Sequence, residues 1–202
     1  MEAAHESRMV SLRCVSQYLL ILLLTCNCNH GKPLNTFAGT YIAFTHSFAT
    51  CPSDGTFAMN LRCSHFNPAK PYEKQTLTGN YTLKEDLTDS MWARVTFAVW
   101  SNNEWKQNAF IINYPRRACT MVRELAPDLF RIMAPSQPQE KAAPCVIPAG
   151  MTIWKNEPIA WEFPKMKVMP YARYLLHVEM GSNTSRTIKV CAEADSALMP
   201  RP

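Results

Sequence analysis

Glycine is scarce, with six residues in a chain of 202. So few glycines leave no Gly-rich loop in which backbone amides could close on a phosphate, and no P-loop spacing is present. The G-x-S-x-G elbow, the H-E-x-x-H zinc motif and EF-hand spacing are missing too. No apolar run reaches the about 20 residues that a bilayer-spanning helix needs. Basic residues are not concentrated: beyond the pair Arg116-Arg117 and Lys165 with Lys167 they are scattered, under a formal net charge of +5. Nucleic-acid binders gather such residues on one face, so nucleic acid is excluded as a partner. Internal repeats, low-complexity blocks and domain boundaries are also absent.

What is present begins with Val15–Thr25, an eleven-residue apolar run preceded by Arg8 and Arg13 and followed by Cys26-Asn27-Cys28-Asn29. A basic flank, a short apolar core and small residues at alternate positions describe a secretory signal peptide. Cys26 and Cys28 suit the −3 and −1 sites, which places cleavage between Cys28 and Asn29; the alternative is an uncut signal-anchor. Residues 1–28 are therefore expected to be the signal, and 29–202 one secreted, extracellular domain. The excised segment carries two arginines and two glutamates, so the net charge stays at +5. A mildly cationic surface of this kind is compatible with weak attraction to anionic headgroups at a membrane surface.

Cysteine is read through that compartment. Cleavage leaves Cys51, Cys63, Cys119, Cys145 and Cys191, an odd set that in an oxidising environment leaves one thiol over. Their wide spacing does not match the close ligand pairs of structural zinc sites, so no metal is expected. Asn80-Tyr81-Thr82 and Asn183-Thr184-Ser185 are glycosylation sequons, which puts Asn80 and Asn183 at the surface of a secreted glycoprotein.

Most of the mature chain alternates with period two, the mark of half-buried strands. In Arg94–Trp100, Val95, Phe97 and Val99 alternate with Arg94, Thr96 and Ala98. In Tyr171–Met180, Tyr174, Leu176, Val178 and Met180 share one face, with Arg173, His177 and Glu179 opposite. A last strand begins at Ile188 and Val190. Weaker strands are expected at Thr40–Phe48, Thr56–Cys63, Gln75–Lys84, Gln107–Tyr114 and Met151–Phe163, and Asn102-Asn103 is expected to form a hairpin tip. Between Cys119 and Met133 the spacing of Met121, Val122, Leu125, Leu129 and Ile132 is helical, interrupted by Pro127. A Pro-rich loop follows at 135–144. This many short strands with frequent turns predicts an antiparallel sandwich.

Catalytic constellations do not emerge. The histidines His30, His46, His65 and His177 stand apart from one another, and His177 falls on the polar face of its strand. Glu85-Asp86 and Asp89 lie beside turn residues, where solvated carboxylates are expected. No enzyme is indicated. What the chain holds in quantity is aromatic and thioether surface, including Trp92, Trp100, Trp105, Trp154, Trp161 and eleven methionines. Such side chains line apolar ligand pockets, and they also fill cores.

The carboxy-terminal half is similar to a known family. Cys119 and its helical run are followed by Pro144-Cys145, Pro148-Ala-Gly150, Ile159–Phe163 and Pro170-Tyr-Ala-Arg173-Tyr174, leading into Leu175–Met180. This resembles the secreted ML-type lipid-recognition family, which includes the ganglioside activator and the insect Che-type chemosensory proteins. The likeness covers roughly residues 105 to 193. It extends more loosely through Phe48-x-x-Cys51-Pro52 and Leu77-Thr-Gly79-Asn80. Val146 in place of a proline directly after Cys145, and the odd cysteine count, depart from the pattern.

The resemblance implies an immunoglobulin-like β-sandwich whose sheets part at one end as a β-cup, with a short helical excursion. It implies a Cys119–Cys145 disulfide, a closure worth about 3 kcal/mol in the loop-entropy model. Cys51 is expected to pair with Cys191, leaving Cys63 over; the exchange of Cys63 for Cys51 stays open. The implied function is non-enzymatic, without cofactor: a lipid or other apolar small molecule held in a cavity lined by Phe97, Val99, Phe110, Ile112, Trp161, Phe163, Tyr174 and Leu176. An extracellular receptor or membrane surface is a further partner. The alternative is a protein–protein interaction module with a packed core and no ligand.

Overall fold

Among the described residues, the alternating segments form eight long strands, joined by four two-residue strands and two short helices. The computed structural model describes residues 37–138, 143–185 and 187–201; the apolar run at 15–25 and the expected cleavage after Cys28 lie outside them. The strands are β1 (Ala38–Gly39), β2 (Tyr41–Thr50), β3 (Phe57–Cys63), β4 (Gln75–Leu83), β5 (Leu87–Thr88), β6 (Met91–Ser101) and β7 (Glu104–Tyr114). After the helices α1 (Ala118–Leu125) and α2 (Pro127–Met133) come β8 (Val146–Ile147), β9 (Gly150–Ile159), β10 (Met169–Pro170), β11 (Arg173–Ser182) and β12 (Ile188–Pro200). The main sheet has the order β2-β12-β11-β6-β7 and the second the order β3-β4-β9; every pairing is antiparallel. The fold is an all-β sandwich, as the alternation predicts.

Local chemistry explains the joints. Asn102 and Asn103 both take positive φ (52° and 61°) and close the β6–β7 hairpin in two residues, with Trp100 and Trp105 paired across it. Pro127 does not kink one long helix. It occupies the first turn of α2, where its missing N–H leaves no bond unmade. Gly79 has φ +130°, and a Cβ there would stand 2.0 Å from the Asn60 carbonyl oxygen, so the close β3–β4 approach admits no side chain. Opposite it, β9 bulges between Leu77 and Gly79, where Asn156 takes positive φ and exchanges hydrogen bonds with Thr78.

Two expectations are corrected. The strand expected to run to Phe163 ends at Ile159, because the Ala160 amide turns to the Asp128 carboxylate (2.7 Å) instead of a neighbouring strand. Asp89 is not a solvated loop residue. It accepts from the Thr120 amide (2.7 Å) and hydroxyl in the first turn of α1, satisfying a helix-end donor from a distance.

The helical excursion is fastened by the Cys119–Cys145 disulfide. Arg123, 5% exposed, also holds it, donating to the Ala143 carbonyl and lying over the Phe130 ring. The second disulfide, Cys51–Cys191, ties the end of β2 to β12, and Cys63 is the free thiol among the described residues. No helix among the described residues is long and apolar enough to cross a membrane.

The sheets are joined by Gln75, 4% exposed. Its Oε1 accepts from the Thr45 amide (2.8 Å) and Trp161 Nε1 (2.9 Å), and its Nε2 donates to the carbonyls of Thr45 (3.0 Å) and Ser64 (2.6 Å). Both donors and both acceptor positions of the amide are used. Gln75→Leu would leave the amide and carbonyl of buried Thr45 unpaired, at about 1–3 kcal/mol for each group that water cannot reach. The expected result is a loss of about 3 kcal/mol or more in urea unfolding. A loss below about 1 kcal/mol would contradict this account of the sheet junction.

Candidate functional site

Between the sheets the core is not filled. A partly open cavity of about 190 Å³ is lined by inward positions of both sheets and by the helices. Its cause can be read along β12. The inward positions Ala192, Ala194 and Ser196 carry small side chains where β11 carries Leu176, Val178 and Met180. Opposite stand Phe57, Met59 and Leu61 of β3 with Leu77 and Tyr81 of β4. Met121, Val122 and Leu125 of α1 and Leu129 and Met133 of α2 close one side. Large side chains on the second sheet thus face a column of small ones, and the difference in volume is left as space.

The wall is apolar and neutral. Thr45 and Ser196 contribute hydroxyls that bond to each other (3.0 Å). Glu193 is the charged residue at the wall among the described residues, and its carboxylate meets His177 Nδ1 (3.0 Å) on the other face of the sheet. Among the described residues, no cation faces the space that could hold a carboxylate or phosphate inside it. The space exceeds the about 150 Å³ of an engineered core cavity that stays dry and takes up benzene.

The residues expected to line the cup divide into three groups. Phe97, Leu176, Trp161 and Phe163 stand at the cavity wall; the last two lie in the connection after β9, not on a strand. Tyr174 closes a small extension of about 20 Å³ that shares Phe97, Phe163 and Leu176 with the main space. Val99, Phe110 and Ile112 do not line the cavity. Phe110 and Ile112 lie on β7, the outer edge of the five-stranded sheet, and Phe110 is 37% exposed. Sequence reasoning missed Phe57, Met59 and Leu61 as wall residues, although their alternation in Phe57–Cys63 was visible. It grouped Met121, Val122, Leu125 and Leu129 as a helical face without assigning that face to the cavity.

No catalytic or metal constellation accompanies the cavity among the described residues. His177 lies between Glu193 and Glu179 and within 3.8 Å of both sulfurs of the Cys51–Cys191 disulfide. Those cysteines are spent in the bond and offer no thiolate. Asp86 accepts from the Ala149 amide, and Glu85 pairs with Lys189, so neither carboxylate is free for acid–base work.

The all-β sandwich with an apolar interior defines the structural class. Among solved structures, the fold is similar to that of chicken MD-1 complexed with lipid IVa, at 10% identity and a TM-score of 0.35, over 80% of this chain and 99% of that one. No protein-family model and no curated protein matches the chain.

Two half-buried groups set an alkaline limit. Burial pushes the Cys63 thiol from about 9 up to about 12, and the Tyr41 hydroxyl from about 10 up to about 12. Both are neutral in the fold while the unfolded chain has already lost the proton. The stability tied to the neutral forms is therefore complete below pH ~9 and drains away as pH rises towards ~12. Urea unfolding measured across this window should show falling stability, and Cys63→Ser should flatten the earlier part of the fall. An unchanged slope in that variant would remove Cys63 from the account.

Proposed function

We propose that the protein is a secreted, non-enzymatic binding protein that holds a neutral lipid or other small apolar molecule between its two sheets. The observation that carries this reading is the unfilled, almost wholly apolar cavity of about 190 Å³, which a core built only for stability would close. A wall without cations favours hydrocarbon or an uncharged ring system over a buried headgroup or fatty-acid carboxylate. In this reading Phe97, Leu176, Trp161 and Phe163 touch the ligand, and Tyr174 bounds its far end. Methionines 59, 121, 133, 166 and 180 on the same wall adapt to varied shapes through their flexible thioethers. Secretion is supported by the amino-terminal apolar run and by two disulfides, which persist in oxidising compartments. Membership of the lipid-recognition family and a chemosensory role rest on the sequence resemblance alone.

The test is to fill the space. Leu176→Trp should abolish saturable binding of an apolar fluorescent probe while the protein stays folded and secreted. Phe110→Ala, on the sheet edge, should leave binding unchanged. In a fully packed interaction module Leu176→Trp would overpack the core and cost about 1–3 kcal/mol. Loss of stability in that variant, with no probe bound by the parent protein, would favour the module and end the ligand reading.

A further inference from the structure

The outer face of the second sheet joins two observations that the cavity does not explain. Met151 and Ile153 on β9 are 64% and 58% exposed, large apolar side chains on an otherwise polar surface. Register places them beside a sequon: Asn80 stands opposite Ile153, and Thr82 opposite Met151. Residues directly opposite in an antiparallel pair share a face, so Asn80, Thr82, Met151 and Ile153 all point away from the cavity, while Tyr81 between them points in. On the other flank Asn80 faces Asn60 of β3. The Asn80 side-chain amide makes no hydrogen bond among the described residues. The second sequon differs, because Asn183 Nδ2 donates to the Ser90 carbonyl at 2.5 Å.

β9 is also an outer edge of its sheet, being paired only with β4 among the described residues. An edge strand flanked by exposed Met and Ile is a template for pairing with another chain unless something covers it.

We propose that Asn80 carries an N-linked glycan that lies over Ile153 and Met151 and shields the β9 edge. The donor is a lipid-linked oligosaccharide of the secretory pathway, which the chain meets on the expectation that it is exported. Asn80 Nδ2 attacks the anomeric carbon of the first sugar, and the new C–N bond replaces the C–O bond to the diphosphate. Polyprenyl diphosphate leaves, and the amide proton passes to solvent without any redox step. Transfer takes place on the unpaired chain, before β4 is enclosed between β3 and β9. The sugar's C–H faces then rest on the two apolar side chains, and its hydroxyls face water. This face is thereby withdrawn from receptor binding, and a protein partner must use another surface.

The test uses the full chain secreted from a eukaryotic cell. Enzymatic glycan release in heavy-oxygen water, followed by peptide mapping, should mark Asn80 as a labelled aspartate. Thr82→Ala should abolish that glycan and shift the protein from monomer to larger species on size exclusion. Adding Met151→Thr and Ile153→Thr to this variant should restore the monomer. If Thr82→Ala is not secreted, enzymatic deglycosylation of the folded parent replaces it and should give the same shift. An unmodified Asn80 in secreted protein overturns the proposal, and so does a glycan whose removal leaves the protein monomeric.

Discussion

One side-chain amide fixes how the two sheets stand to each other. Gln75 begins β4 in the second sheet, and through Thr45 it reaches β2 in the first. Its donors face two carbonyls and its acceptor faces two N–H groups, so a single orientation of the amide satisfies every partner. A hydrophobic contact at this place would allow the sheets to slide or close, since apolar packing is not directional. Four directed hydrogen bonds, two of them buried at Thr45, do not allow it. Trp161 is drawn into the same junction, and with it the connection that carries Phe163 and Met166 along the cavity wall.

The cavity follows from that separation together with the residues of β12. If the sheets were free to approach, Ala192, Ala194 and Ser196 would be met by side chains from β3 and β4. The disulfide from Cys51 to Cys191 holds β2 against β12 on the opposite face, so the strand that carries the small column is itself fastened. The two helices, tied by the other disulfide, cover one side. Stability and vacancy are thus kept by different residues: polar and sulfur links hold the frame, and small side chains leave the space.

Strand periodicity, the broken helix and the hairpin at Asn102-Asn103 were legible because each depends on neighbours in sequence. The four two-residue strands were not, since two residues cannot display a period of two. The site was half legible. Alternation assigned Phe97 and Leu176 to an inward face correctly, but it could not tell a central strand from an edge strand. Phe110 and Ile112 alternate as well as any residues in the chain, yet β7 pairs on one side only. The role of β12 was hidden for the opposite reason: alanine and serine carry little hydrophobic signal, and the cavity is made by what they lack. Asp89 looked solvated because its partner, Thr120, lies thirty-one positions away.

The odd cysteine gives the molecule a chemical memory of unfolding. Cys63 is half-buried in the fold, where desolvation disfavours the reactive thiolate. Once the sheets separate, the same thiol regains ordinary acidity in a chain that still holds two disulfides. It can then attack either of them, and each exchange produces a new thiol able to attack again. An opened chain therefore reshuffles its bonds and leaves the refolding equilibrium. Persistence of the native protein is governed by how rarely it opens, a rate and not a free-energy difference.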